Sequence, residues 1–449
     1  MRYLPHTEGD VQQMLKTIGV ADLEALFATI PAACRLERPL DLPGAKAEAE
    51  AQALLRSLAE RNARVSDWDS FLGGGAYHHF IPAAVDHLVS RSEFYTAYTP
   101  YQPEISQGTL QGVFEFQTLV CQLTGMDVAN ASMYDGATAC AEAVLLSIRA
   151  GKKRNRVLLS QGVNPQYRQT VATYCRYLDV ELIDIPLAAG TTDQQALRAQ
   201  LDEQVAAVVV GYPNYLGCIE DLAAIAELTH ACGARLVSAT SEPLSLGLYK
   251  APGALGADVA VAEGQSFGIP LAYGGPGIGL FAVNKRDMRL LPGRLVGQTA
   301  DRDGKRGFVL TLATREQHIR REKATSNICS NQGMCTLMVA IYLSLHGKQG
   351  LRQLAENNYA KAVYARDRIS ELKGYDIPFP GEIFNEFVVT CPVPVADLKT
   401  RLEQQQILPG IALGRDYPEL ERGLLVCVTE QNSREQIDRL VTALAGGAA

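Results

Sequence analysis

The stretch 258-DVAVAEGQSFGIPLAYGGPGIGLFAV-283 decides the fold of this chain. Its first part, DVAVAEG, is an apolar run of strand length, and GIGLFAV is a second such run after a glycine-rich turn. The pattern predicts two buried strands of a central sheet, with a polar loop at the carboxyl end of the first strand. No lysine lies between Lys250 and Lys285. The loop at this strand end therefore has no primary amine of its own.

The segments before this stretch alternate between helical and strand patterns. Residues 111–125 and 136–151 have helical patterns that end at glycines. The short apolar strands that follow are VLLSQ, VELIDIP, AAVVVGYP and ARLVSAT. Short strands that alternate with helices predict a mostly parallel sheet with helices on both faces. Ligands of such sheets bind at the carboxyl ends of the strands, so we expect a site there.

Composition and pattern divide the chain of 449 residues into three predicted regions, since this length exceeds one ordinary core. Residues 1–65 are predicted to form an N-terminal helical arm, because VQQMLKTIGV, DLEALFATI and ALLRSLAERNAR carry apolar residues at helical spacing. Residues 66–330 are predicted to form a large α/β domain. Residues 331–449 are predicted to form a small C-terminal α+β domain, which ends in a helix with a capping-box pattern.

Charge and composition argue against several classes of function. A net charge of −7 with both signs interspersed disfavours nucleic acid or an anionic membrane as the main partner. We find no apolar run of signal-peptide or membrane-spanning length. The ten cysteines are scattered without a CxxC pair, and the seven histidines show no metal-ligand spacing. We therefore expect a cytoplasmic protein with reduced thiols and no metal site.

Four longer motifs closely resemble one protein family. They are FYTAYTPYQPEISQGTLQ (94–111), NASMYDGATACAEA (130–143), GQSFGIPLAYGGPGIG (264–279) and REQHIRREKATSNICSNQ (315–332). The family is glycine decarboxylase, the P-protein of the glycine cleavage system, and the likeness is to subunit 1 of its two-chain form. The resemblance covers nearly the whole chain. It implies the fold-type I fold of pyridoxal-phosphate-dependent transferases, an aspartate aminotransferase-like α/β fold.

The resemblance also implies a division of labour between two chains. In this family the second subunit has the same fold and carries the lysine that binds pyridoxal phosphate as a Schiff base, at the position of Gln265 here. The complete enzyme decarboxylates glycine and passes the aminomethyl group to the lipoamide of H-protein. The resemblance thus implies a subunit without the lysine, inactive alone, in an α2β2 heterotetramer with glycine decarboxylase subunit 2. Lipoylated H-protein is the other implied partner.

Three positions of the expected cofactor site are altered in this sequence. The amide of Gln265 is not nucleophilic and cannot form a Schiff base. The expected phosphate turn contains Asp135, Gly136 and Thr138. The two smaller residues suit a phosphate, whereas the Asp135 carboxylate repels one and suits the N-cap of the following helix. Glu242 is a candidate remnant of the carboxylate that pairs with the pyridinium nitrogen. We therefore predict a degenerate site with no catalytic residue in this chain.

Other motif residues are candidates for contact with the partner or its active site. An aromatic loop combines rings and hydroxyl groups in the way that interfaces favour. Two histidines follow a glycine-rich turn, and a basic run suits a phosphate or the lipoyl arm. The alternatives are a packed loop without substrate contact, structural histidines and interface ion pairs. The candidates are Tyr95, Tyr98, Tyr101, Gln102, Glu104, His78, His79, His318, Arg320, Arg321, Lys323, Thr325, Ser326 and Asn327.

Two other functions are compatible with parts of the sequence. One is a self-sufficient pyridoxal-phosphate enzyme, which the missing lysine at position 265 disfavours. The other is a degenerate regulatory or scaffold homologue of such an enzyme. The intact motifs at 94–111 and 315–332 argue against that second alternative.

Overall fold

The computed structural model describes residues 5–96 and 98–446, and the chain divides into two compact units between Ala63 and Arg64. The helices are α1 (Glu8–Ile18), α2 (Glu48–Ala59), α3 (Ala83–Val89), α4 (Ser92–Tyr95), α5 (Gln107–Thr124), α6 (Gly136–Gly151), α7 (Pro165–Cys175), α8 (Gln194–Gln200), α9 (Leu222–Ala231), α10 (Gln317–Arg320), α11 (Gly333–Ser370), α12 (Val395–Glu403) and α13 (Arg434–Leu444). The strands are β1 (Asp69–Ser70), β2 (Val128–Ala129), β3 (Arg156–Ser160), β4 (Glu181–Ile185), β5 (Leu187–Ala188), β6 (Thr191–Thr192), β7 (Val205–Gly211), β8 (Arg235–Thr240), β9 (Val259–Glu263), β10 (Gly279–Val283), β11 (Leu295–Ala300), β12 (Arg306–Thr311), β13 (Glu386–Thr390), β14 (Ile407–Leu408), β15 (Ile411–Ala412) and β16 (Gly423–Cys427).

The first unit contains two helices and little buried surface. Helix α1 begins at a capping box on Thr7 and ends at Gly19 in the left-handed conformation. The segment DLEALFATI forms only the 3-10 turn Glu24–Phe27, so the prediction of a helix there is wrong. Among the described residues of this unit, Leu15 alone is fully buried. Many of its other large apolar side chains are exposed and available for contact.

A seven-stranded sheet with the order β2-β10-β9-β8-β7-β3-β4 organises the second unit. Strands β4, β3, β7, β8 and β9 run parallel, and β10 runs antiparallel to β9 and to β2. Each apolar run predicted from VLLSQ to GIGLFAV is a strand of this sheet. The predicted α/β fold with a mostly parallel sheet is confirmed.

Alternate side chains of β9 face opposite layers of helices. Val259 and Val261 pack with residues of α6 and α7 in one buried cluster. Ala260 and Ala262 pack with residues of α5 and α11 in another. Burial of both faces explains why the strand is a nearly continuous apolar run. By the same alternation Glu263, the last residue of β9, lies on the α6 side of the sheet.

A smaller antiparallel sheet, β13-β16-β15, packs with α12, α13 and the end of α11 around a separate cluster of buried side chains. Helix α11 consists of two helical segments that meet at Gly347, whose φ is 57°. This region and the seven-stranded sheet belong to the same compact unit, from Arg64 onward. The boundary predicted between residues 330 and 331 stays a prediction, as does the end of the arm at residue 65.

Candidate functional site

Gln265 lies in the first turn after β9 and is 9% exposed. Its side-chain oxygen accepts a hydrogen bond from the backbone N–H of Tyr77 at 2.9 Å. Its side-chain nitrogen donates to the carbonyl oxygen of Ile269 at 2.6 Å. Both ends of the amide are therefore satisfied inside the protein, and they tie the segment at Tyr77 to the strand end.

The carboxylate of Glu263 binds the backbone N–H groups at this strand end that could otherwise bind an anion. The sequence analysis did not identify this residue. Its carboxylate accepts hydrogen bonds from three backbone N–H groups, those of Gly136 at 2.9 Å, Ile278 at 2.9 Å and Gln265 at 3.1 Å. Burial raises the pKa of Glu263 to about 7 against these favourable bonds. Strand alternation was the available signal, because it places this side chain on the same face as Val259 and Val261.

Asp135 supplies a second carboxylate to the N-terminus of α6. Its side chain accepts a hydrogen bond from the backbone N–H of Thr138 at 2.7 Å, and the Thr138 hydroxyl receives one from the Asp135 N–H at 3.3 Å. A β-carbon at Gly136 would lie 2.0 Å from the hydroxyl oxygen of Tyr167, so only glycine fits there. The first N–H groups of α6 thus bind carboxylates of the chain itself, in the place that a helix offers to a phosphate.

Glu242 forms part of a buried row of three charged side chains. The imidazole of His79 lies between two carboxylates, with Nε2 at 2.9 Å from Glu242 and Nδ1 at 2.8 Å from Glu430. Burial lowers the pKa of His79, but the two carboxylates outweigh burial and raise it to about 10. Burial acts to raise the pKa of Glu430. The neighbouring His79 outweighs burial and lowers the pKa of Glu430 to about 2. Of the two predicted histidines, His79 thus lies in the interior as part of this row, and its neighbour His78 is half-buried.

Little space remains between these groups. Tyr77 donates a hydrogen bond to Glu386 at 2.8 Å, and the Gly74 N–H donates to the same carboxylate at 2.6 Å. Burial raises the pKa of Glu386 to about 7. The cavity beside Glu242 and Glu386 measures about 10 Å³, which is room for about one water molecule. The residues present do not fit pyridoxal phosphate. They offer no amine, the N–H groups of Gly136 and Thr138 already bind carboxylates of the chain, and the adjacent cavity has room for about one water molecule.

The aromatic loop lies on the surface. The rings of Tyr95, Tyr98 and Tyr101 are exposed, and so are Gln102 and Glu104. Only one of the three rings has a strong internal partner among the described residues. The Tyr101 hydroxyl accepts a hydrogen bond from the guanidinium of Arg294 at 3.0 Å, and that guanidinium lies 5.1 Å from the ring centre. The loop is thus held at Tyr101, while the rings of Tyr95 and Tyr98 are exposed to solvent.

The basic run is also on the surface, in the short helix α10 and the turn after it. His318, Arg320, Arg321 and Lys323 are exposed. His318 lies 3.7 Å from Glu316, whereas the other three form no ion pair with a described residue. These cations therefore keep their charge free for a ligand or a partner.

The three polar residues that follow this run are less exposed on average. Thr325 and Ser326 are half-buried, and Asn327 is exposed. The Ser326 hydroxyl donates a hydrogen bond to the buried carboxylate of Glu142, and burial raises the pKa of that carboxyl. This contact fastens the end of the basic run to α6.

Metal-ligand clusters and membrane-spanning helices are not found in the part of the chain that the structure describes. No group of three or more His, Cys, Asp or Glu residues there is placed to hold a metal ion. No helix there is both long and apolar enough to cross a membrane. The ten cysteines are free thiols.

Sequence comparison finds relatives over almost the entire chain. The family described as glycine cleavage system P-protein matches residues 1–444. A probable glycine dehydrogenase (decarboxylating) subunit 1 of Geobacillus kaustophilus is 56% identical over 446 residues, which is 99% of each chain. A protein of the same description from Geobacillus thermodenitrificans is 54% identical over the same length.

Comparison with solved structures agrees. A crystal structure of glycine decarboxylase (P-protein) of the glycine cleavage system, in inhibitor-bound form, has a TM-score of 0.91 and 43% identity to this chain. The match covers 99% of this chain and 100% of that chain. Sphingosine-1-phosphate lyase of Burkholderia pseudomallei has a TM-score of 0.67 at 15% identity, over 93% of this chain and 94% of that chain. At that identity the likeness shows the fold alone, which is fold-type I.

Proposed function

Because this chain belongs to the glycine cleavage system P-protein family, we propose that it is the subunit that completes the enzyme without holding the cofactor. The chain is a subunit of glycine dehydrogenase (decarboxylating), the enzyme that releases CO2 from glycine. Its fold is that of pyridoxal-phosphate-dependent enzymes. Pyridoxal phosphate supplies the electron sink for such a decarboxylation. Our proposal assigns that cofactor to a second subunit.

The observation that carries the proposal is the closure of the strand-end site. The first turn after β9 holds Gln265, whose amide is bonded at both ends. The helix N-terminus that suits a phosphate is filled by Glu263 and Asp135. An incoming phosphate meets the carboxyl groups of Asp135 and Glu263 there, which occupy its N–H donors and repel it in their ionised form. We therefore place no covalent step in this chain.

The exposed motif residues support a role toward the second subunit. Tyr95, Tyr98 and Tyr101 present rings with hydroxyl groups, which are common at the centres of interfaces. The first unit exposes many apolar side chains, which favours burial against another chain. In the proposed assembly the aromatic loop borders the second subunit's pocket and keeps water out of it. The half-buried Thr325 and Ser326 offer hydroxyl groups to the same border.

The basic run supports contact with an anionic or carrier partner. Arg320, Arg321 and Lys323 carry charges that no described carboxylate neutralises. We assign this surface to the lipoylated H-protein, which takes the aminomethyl group in the proposed reaction. The proposed assembly is an α2β2 heterotetramer with glycine decarboxylase subunit 2, and the proposed compartment is the cytoplasm. A regulatory or scaffold homologue is not favoured over this function.

Borohydride trapping tests the assignment of the cofactor. This chain, subunit 2 and their mixture are each incubated with pyridoxal phosphate and reduced, and pyridoxyl-lysine is mapped by mass spectrometry. We expect stoichiometric label on subunit 2 and none on this chain. Stoichiometric label on any lysine of this chain overturns the proposal.

The variant Gln265→Lys separates the missing amine from the closed site. If the lysine were the only missing part, this variant would be labelled and would show the absorbance band of a Schiff base. We expect neither, because Glu263 and Asp135 still fill the helix N-terminus and the adjacent cavity still measures about 10 Å³. Label on the variant would show that the carboxylates do not exclude the cofactor. In that case the absence of label on the wild-type chain would be due to the amide of Gln265 alone.

A further inference from the structure

A second and larger cavity lies behind the aromatic loop. Its volume is about 230 Å³, and it is bounded by that loop, the first turns of α5 and α11, and the hairpin of β11 and β12. None of Asp135, Glu263 and Gln265 lies on its wall. The cavity is therefore a feature distinct from the closed strand-end site.

The charge on the cavity wall comes from a single guanidinium. Among the described residues that line the cavity, Arg294 is the charged one, and its side chain is 4% exposed. One terminal nitrogen donates to the Tyr101 hydroxyl, and the other, Nη1, has no hydrogen-bond partner among the described residues. The nearest carboxylate is that of Glu316, at 3.7 Å from Nε, and it does not line the cavity. A buried guanidinium with an unused N–H group favours an anionic ligand.

Two helix N-termini add to the same preference. Gly108 and Thr109 from the first turn of α5 line the cavity, as do Gly333 and Met334 from the first turn of α11. Neither helix has a side-chain hydrogen bond at its N-cap. The uncapped N-terminus of a long helix carries partial positive charge and free N–H groups. The buried guanidinium and these two ends together make the cavity wall electropositive.

The rest of the wall is largely apolar. Phe94, Val113, Val296, Leu310 and Leu337 contribute hydrocarbon surface to it. A dry cavity of about 150 Å³ holds benzene, so by proportion this cavity of about 230 Å³ holds a ligand of about nine non-hydrogen atoms. We propose that the cavity behind the aromatic loop binds a small aliphatic monocarboxylate. Its carboxylate binds Arg294, and its alkyl chain packs on the apolar wall.

The proposal concerns this chain alone and does not depend on which subunit holds the cofactor. Calorimetry on the full-length chain with hexanoate, which has eight non-hydrogen atoms, is a direct test. Hexan-1-ol and hexylammonium have the same chain with a neutral and a cationic head. We expect hexanoate to bind at least tenfold more tightly than either of them. Equal affinity for the three compounds contradicts recognition of an anion.

Substitution of the guanidinium tests its role. Arg294→Gln is expected to weaken hexanoate at least tenfold and to leave hexan-1-ol unchanged. Arg302→Gln is the matched control, because that side chain is 94% exposed and does not line the cavity. Loss of the contact between Arg294 and Tyr101 could harm the folding of the Arg294→Gln protein. Arg294→Lys keeps the positive charge and serves as the second variant for that case. Unchanged hexanoate affinity in both variants overturns the proposal.

Filling the cavity tests its location while leaving Arg294 in place. A β-carbon at Gly108 meets nothing within 4 Å, and one at Gly112 meets Leu337 at the ordinary distance of 3.7 Å. Gly112→Leu therefore directs a side chain into the cavity without a backbone clash. We expect it to weaken hexanoate at least tenfold, whereas Thr118→Leu, on an exposed position of the same helix, leaves binding unchanged. Undiminished binding to the Gly112→Leu chain places the ligand elsewhere and overturns the proposal.

Discussion

The strand-end region and the motif loops use their polar residues in opposite ways. In the strand-end region, which comprises Asp135, Glu263 and Gln265 with their neighbours, each of these side chains has a hydrogen-bond partner inside the protein. In the motif loops, residues 94–105 and 315–327, the ring of Tyr98 is 84% exposed and three cations have no ion-pair partner among the described residues. The two regions therefore differ in kind. The polar side chains of the strand-end region bond to groups inside the protein, whereas the rings and cations of the motif loops are exposed on the surface.

The difference has an energetic consequence. A buried carboxylate must keep its hydrogen-bond donors, because an unpaired one costs several kcal/mol of folding free energy. An exposed ring or cation contributes little to folding and keeps its interaction capacity for another molecule. Substitutions in the strand-end region should therefore change stability. Substitutions in the motif loops should change association.

The largest effect is expected at the buried row of charges. His79→Leu leaves Glu242 and Glu430 facing each other without the imidazolium between them. We expect the free energy of unfolding at pH 7, measured with urea, to fall by about 4 kcal/mol. His78→Leu is the matched control at a half-buried position and should change it by less than about 1 kcal/mol. Similar stabilities for the two variants would show that the row is not ionised.

A smaller loss is expected at the strand end. Glu263→Ala removes the acceptor of three backbone N–H groups, and we expect it to cost about 3 kcal/mol because water replaces only part of it. Asp135→Ala removes one cap and should cost about 1 kcal/mol. Inorganic phosphate should raise the midpoint of urea unfolding of Glu263→Ala and not of the wild type. A variant that phosphate does not stabilise would break the comparison, because the position would then not be an anion site.

The pH dependence of stability sharpens the same comparison. The pKa of Glu263 is about 7 in the folded protein and 4.5 ordinarily, so the folded state binds the extra proton between these values. The free energy of unfolding should therefore fall as pH rises from about 4.5 to about 7. Glu263→Gln should lack this part of the fall, which is about 3 kcal/mol. Urea titrations at several pH values measure the difference between the two proteins, in which the slopes from Glu386 and His79 cancel. Parallel curves contradict a raised pKa at this residue.

The smallest effect on stability is expected in the aromatic loop. Tyr98→Ala removes an exposed ring and should change the free energy of unfolding by less than about 0.5 kcal/mol. It should weaken association with subunit 2 at least tenfold, or by about 1.4 kcal/mol, as measured by analytical ultracentrifugation. The control is Tyr177→Ala, since that ring is 89% exposed and lies outside the motif loops. Equal association of both variants would remove the loop from the interface.

Much of this fold could be predicted from local patterns. The apolar runs from VLLSQ to GIGLFAV became strands because strand alternation and burial act over a few residues. The cap at Asp135 was predictable for the same reason. The helix expected in DLEALFATI reduced to a single turn, Glu24–Phe27, because helical spacing alone does not stabilise a short helix without packing partners.

The amino-acid sequence by itself determined the apolar strands from VLLSQ to GIGLFAV, the capped start of α6 and the absence of a lysine between Lys250 and Lys285. Only the tertiary structure decided what fills the site instead. Glu263 reaches the N-terminus of α6, 127 residues earlier in the chain, and Arg294 meets Tyr101 across 193 residues. His79 and Glu430 are 351 residues apart. Such contacts depend on how distant elements pack, and the spacing of residues along the chain does not contain that information.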